Sequence, residues 1–319
     1  MTRSIAACCE EFSVRGVSRR SLLLGGTSFA AWAYLPKFAR AADGRDPRLV
    51  VVILRGALDG LATVAPVGDP DYAGLHGSIA LAPDGPHAAP TVGWAPVALP
   101  QADDDTAMRL IELYNHRDPA LASALTQGLQ LEKSAQGDDM KPKPGTNNAG
   151  AMRLVARGAA KLMAADDGPR IAALAFDGWD THANEGGPVG RIAQLLSGLD
   201  GALAEFEQGL GERWRDTVIV VATEFGRTAH INGTEGTDHG TGTVALLAGG
   251  AIKGGRVISD WPGLKPANLY QARDLAPTTD LRAALKGVLH DHLGLGERVL
   301  ADNVFPDSAA AKPMKGLVG

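Results

Sequence analysis

Residues 216–243, DTVIVVATEFGRTAHINGTEGTDHGTGT, set a buried strand directly against a polar loop. The run Val218-Ile219-Val220-Val221-Ala222 is continuously apolar and rich in β-branched residues. Such a run reads as a strand covered on both faces, as in a parallel sheet. At its carboxyl end the chain turns abruptly into Thr223-Glu224-Phe225-Gly226-Arg227, and a polar loop then closes on Thr237-Asp238-His239-Gly240. Ligands of open α/β sheets bind outside the carboxyl ends of the strands. Glu224, Asp238 and His239 therefore arrive where a site is expected, with side chains suited to a divalent metal. Read alone, the same residues fit a loop cap, a turn and a polar surface group.

Two further runs have the same design. Residues 49–54 (LVVVIL) lead into Arg55-Gly56-Ala57-Leu58-Asp59-Gly60, and residues 171–176 (IAALAF) lead into Asp177-Gly178-Trp179-Asp180-Thr181-His182. Asp59 fits a ligand or a turn residue before Gly60. Asp180 and His182 are two apart, so an extended backbone puts them on one side. Trp179 reads as packing. Arg55 has the planar fork that suits phosphate or sulfate.

Between these runs the helical period appears at 149–165 and 189–210. A last helix is expected from Leu281, with Thr278 or Thr279 as its cap and Gly294 as its end. His290 and His292, two apart on it, are expected at the surface. Further short strands are expected at 78–81, 243–248 and 256–259. Residues 65–148 read as irregular, with a helical stretch at 103–133 and a polar Pro/Gly linker at 136–148. Strands alternating with helices predict an α/β fold with a largely parallel sheet and helices on both faces.

Composition narrows the function. The chain has 319 residues, 45% hydrophobic, and a formal net charge of −5. The acidic balance argues against a nucleic-acid partner. Residues 1–41 are expected to be a twin-arginine signal. Ser18-Arg19-Arg20-Ser21 precedes an apolar run too short for a stable membrane span, and Ala39-Arg40-Ala41 offers a cleavage site. The chain would then meet the twin-arginine (Tat) translocase during export to the periplasm or beyond, leaving residues 42–319 as one domain. Both cysteines, Cys8 and Cys9, fall in that leader. The exported part thus has neither a disulfide nor a thiol nucleophile.

Taken together, three strand ends deliver Asp59, then Asp180 with His182, then Glu224, with Asp238 and His239 nearby in sequence. Carboxylates gathered on one rim repel one another unless cations hold them. Neighbours in an extended segment point opposite ways, so Asp238 and His239 could serve two ions. Mixed nitrogen and oxygen donors favour zinc or manganese over calcium. Arg55 and Arg227 could hold the anion of a small ester substrate.

The segments 54–60 (LRGALDG), 178–182 (GWDTH), 223–227 (TEFGR), 236–240 (GTDHG) and 277–282 (PTTDLR) carry a resemblance. In order and in register, they resemble the bacterial family called domain of unknown function 1501, placed in the alkaline phosphatase/sulfatase superfamily. The resemblance implies an alkaline phosphatase-like fold with a metal site, usually of two zinc ions, that hydrolyses phosphate or sulfate esters. The chain departs from the family between Leu81 and Val92, where a segment with an Arg-Ser-His-Phe motif is absent. Ser78 and Thr91 are the hydroxyls nearest the place where the superfamily's nucleophile would stand. The departure leaves three readings: a metal-dependent ester hydrolase, a non-catalytic metal- or anion-binding protein of the same fold, and a phosphomutase.

Overall fold

The computed structural model of the protein describes residues 45–81 and 147–319, all within one compact unit. The leader at 1–41, the helical stretch at 103–133, Thr91 and most of the irregular segment lie outside the described residues.

The three apolar runs are the strands of a mixed α/β fold with a mostly parallel sheet. Strand β1 (Arg48–Leu54) lies at the centre, with β2 (Ile171–Phe176) and β3 (Thr217–Thr223) parallel on either side. Leu54 is level with both Phe176 and Thr223, so the three strands end in line on one rim. Alternate residues Val50, Val52, Leu54, Ile219 and Val221 face one apolar core. Leu49, Val218 and Val220 point the other way and are also buried. The absence of polar alternation in the sequence follows from this burial of both faces.

Helices α1 (Gly60–Thr63) and α2 (Tyr72–His76) follow β1 and were not evident as helices from the residue pattern. Helix α3 (Asn148–Ala164) starts at Asn147, whose side chain accepts from the Gly150 N–H at 2.8 Å. It packs along α4 (Arg191–Leu210), and both seat their apolar stripes on the sheet. The pair approaches closely because Gly198 has no side chain. A Cβ there would lie 2.6 Å from the Cα of Ala149. Phe206, Leu195 and Leu199 are buried in this layer, and each contributes about 1.5–3 kcal/mol.

After β3 come a two-residue ladder, β4 (Gly226–Arg227) with β5 (His239–Gly240), and then β6 (Leu246–Ala248). Strand β6 runs antiparallel to β3 at the sheet edge and is shorter than the expected 243–248. The expected strand at 256–259 does not form: Val257 and Ile258 stand exposed with no strand pairing. Residues 78–81 are not a strand either, because Gly77–Ile79 closes a 3-10 turn. Helix α5 (Leu281–Leu293) ends at Gly294 in the left-handed conformation, as expected. Its cap is Asp280 rather than a threonine, and accepts from the Arg282 N–H at 2.9 Å. His290 is exposed, but His292 is buried and donates from Nε2 to the carbonyl of Arg48, 2.9 Å away. Among the described residues no helix is long and apolar enough to cross a membrane.

Candidate functional site

The strand order β2-β1-β3 means that the chain leaves β1 to one side and later returns past it to the other. Such a reversal opens a crevice at the carboxyl ends of the strands. The residue after each strand faces this rim: Arg55 after β1, Asp177 after β2 and Glu224 after β3. Arg55 Nη1 pairs with Asp177 Oδ1 at 3.0 Å, both about two-fifths exposed. Glu224 Oε2 accepts from the Gly56 N–H at 3.1 Å and is otherwise exposed.

The turn after β1 has an unusual shape. Gly56 and Ala57 have φ values of 115° and 77°, a region that L side chains rarely occupy. Gly56 lies directly against the backbone of Asp180, where a Cβ would collide. This contact brings the β1 turn to the loop after β2.

Asp180 is 61% exposed and His182 40% exposed. Asp180 Oδ1 accepts from His182 Nδ1 in a close contact and from Arg227 Nη2 at 2.9 Å. Burial opposes ionisation of Asp180, but the hydrogen bonds from Arg227 and His182 outweigh it. Its carboxyl therefore titrates below the usual carboxylate range. With Nδ1 carrying the shared proton, the 3.1 Å approach of Arg227 Nη1 to that nitrogen is a crowding of two donors. Arg227 Nη1 instead donates to the carbonyl of Thr237 at 2.9 Å. Nε2 of His182 then keeps its lone pair for a metal or a proton.

His239 stands beside His182, with ring centroids 4.7 Å apart in an edge arrangement. Phe225 packs on the other side of His239 at the same centroid distance. Asn232 Nδ2 donates both to Asp238 Oδ1 and to the carbonyl of His182. Asp180, His182, Asp238 and His239 thus form one connected group, with Glu224 held to it through Gly56.

Two expected residues are used differently. The Arg227 side chain has no exposed surface, and its guanidinium is not available for an anion. It donates to the carbonyls of Gly56, Ala57, Trp179 and Thr237 as well as to Asp180. Asp59 is buried behind the rim. It caps α1 through Leu61 N and Ala62 N, and its other oxygen contacts His76 Nε2 at 3.1 Å. Glu185 adjoins Asp59 and takes a hydrogen bond from Thr237 Oγ1 at 2.7 Å. Burial, and then the Asp59 charge, push the Glu185 carboxyl up to about 8. His76 is raised despite its burial, because its hydrogen bond and charge contact with Asp59 prevail. An Asp-Gly pair opening a helix was the signal for the cap. Nothing in the spacing of His76, Glu185 and Thr237 announced their meeting.

A protein-family profile described as "Protein of unknown function (DUF1501)" matches residues 94–304. The chain belongs to this family. The matched span includes β2, β3 and the whole Asp180–His239 group. No curated protein and no solved structure matches the chain.

The donor types present suit a divalent cation, and a histidine whose Nδ1–H is held by a carboxylate is the usual form of a metal ligand. The placement is less complete. Among the described residues no three His, Asp or Glu side chains are arranged to hold one ion together. Asp180, expected as a ligand, orients His182 through Oδ1.

Proposed function

We propose that this rim hydrolyses phosphate or sulfate esters with the help of a divalent cation, zinc or manganese, in an exported protein of alkaline phosphatase-like fold. The observation that supports this most is the contact of Asp180, His182 and His239 beside the crevice at the strand ends. His182 and His239 are the nitrogen donors, Glu224 and Asp238 are the exposed carboxylates near them, and Asp180 holds the His182 tautomer. A bound ion would polarise the ester's nonbridging oxygens. Arg55 is the rim cation able to leave its exposed partner Asp177 and turn to the ester's charge, since such exposed pairs are worth at most about 1 kcal/mol.

A second reading, a non-catalytic binding protein of the same fold, rests on a specific observation. Arg227 directs its charge to Asp180 and to carbonyls, and among the described residues no three donors converge. The two readings separate in one experiment on protein purified after native export. Metal content is measured, and turnover of aryl phosphates and aryl sulfates is followed with zinc or manganese restored. The hydrolase reading expects bound metal and turnover, both lost in His182→Ala. Metal without turnover supports the binding protein, and absence of both after reconstitution removes the metal-dependent hydrolase.

A further inference from the structure

A second cluster of charge lies apart from the strand-end rim, where the C-terminal segment folds over α5. Met314 N donates to the carbonyl of Ala283 at 2.9 Å, and Gly287 presses against the backbone of Met314. The segment thereby covers Lys286, which is 2% exposed. Its ammonium donates to the carbonyls of Ser308 at 2.6 Å and Ala311 at 3.0 Å. An ammonium has three hydrogens, and the described residues accept two of them. Neither Lys286 nor Lys312 forms an ion pair with a described residue. Asp280 feels the Lys286 charge but pairs directly with Arg282, so no described carboxylate touches the buried ammonium, and an anion in contact with it would offset the cost of its burial.

A cavity of roughly 200 Å³ adjoins Lys286. Lys286, Arg298 and Lys312 line it with Glu297 as the one acid, and Ala301 and Ala309 leave it room. Arg298 reaches Asp302 only at 3.4 Å and is 94% exposed, so it can turn inward. Three cations against one carboxylate stand out in a chain whose net charge is −5. Ammonium groups and a planar guanidinium are the donors that tetrahedral oxyanions take.

We propose that this cavity binds a small oxyanion, phosphate or sulfate, whose oxygens complete the coordination of the Lys286 ammonium. The site is independent of the strand-end rim and of any reaction there.

The test is calorimetric titration of the full chain with inorganic phosphate and with sulfate at low chloride. The wild-type protein, Arg298→Ala/Lys312→Ala, Lys286→Met and the rim variant Arg55→Ala are compared. The expected result is saturable binding that weakens at least tenfold in the Arg298→Ala/Lys312→Ala protein and persists in Arg55→Ala. Lys286→Met is expected to abolish it. If that variant fails to fold, the double variant decides, because its two side chains are on the surface. Absence of saturable binding to the wild type, or equal affinity in the double variant, overturns the proposal. Loss in Arg55→Ala alone would place the anion at the rim and also overturn it.

Discussion

At the scale of single residues, Arg227 has the clearest consequence. It is a cation enclosed by backbone oxygens from the ends of β1 and β2 and from the loop before β5. The sequence marked it as an anion holder because Thr-Glu-Phe-Gly-Arg follows a strand end. Its direction was not legible, since β4 turns the side chain inward beneath Asp180. Lysine has the charge but not the fork, and can reach only part of this set. Arg227→Lys is therefore expected to destabilise the protein by about 3 kcal/mol, the range for breaking a buried hydrogen-bonded charge network. Urea unfolding measures it. A change within about 0.5 kcal/mol would show that the carbonyls are held without the guanidinium.

At the scale of elements, the loops rather than the strands form the site, and two of them can be tested. The turn after β1 depends on Gly56, whose φ of 115° and contact with Asp180 exclude a side chain. Gly56→Ala should cost about 2–3 kcal/mol and loosen Asp180 from Arg227. A full-strength fold with unchanged amide exchange at residues 178–182 would contradict this. The Asp59–Glu185–His76 group ties α1, α2 and the loop carrying His182 together beneath the rim. The native state holds the Glu185 proton up to about 8, whereas the unfolded chain releases it near 4.5. Between those values the native state binds more protons, so stability falls as pH rises through that window and levels off above it. His76, also raised, acts in the same direction: its contribution is full below the ordinary value of 6.5 and is lost as pH rises through its folded value. Glu185→Gln removes the larger slope, and the thermal midpoint should vary less between pH 5 and 8 than in the wild type. An unchanged profile would assign the slope to other groups. Strands β1 and β3 were legible because burial of both faces leaves only apolar residues, and β2 is equally apolar although Ala173 and Ala175 are exposed. The path of the loops was not, because the positive φ of Ala57 has no signature in its residue type.

At the scale of the whole molecule, the residues of the site come from segments far apart in the chain, and the sheet alone makes them neighbours. Placing Arg55, Asp177 and Glu224 on one rim required only the register of three parallel strands. The loops after the strands bring Asp180, His182, Asp238 and His239 into one group, with Glu224 held to it through Gly56. Asp59 departed because a helix begins immediately after it and claims its carboxylate. On the proposed metal-dependent reading, this assembly links metal affinity to global stability. An ion that joins His182 to His239 ties the loop after β2 to the loop after β3, and it can do so only in the folded chain. Ligand at about 100 times its dissociation constant adds about 2.7 kcal/mol to folding stability, enough to raise the thermal midpoint by several degrees. Zinc is therefore expected to raise the midpoint of the wild-type protein after chelator treatment, and to have no effect on His182→Ala or His239→Ala. The mutations themselves should cost little, because His182 is 40% exposed and His239 lies at the surface. An equal rise in all three proteins would place the ion elsewhere, and no rise in any would leave the Asp180–His182 pair as a hydrogen-bonded dyad without a metal.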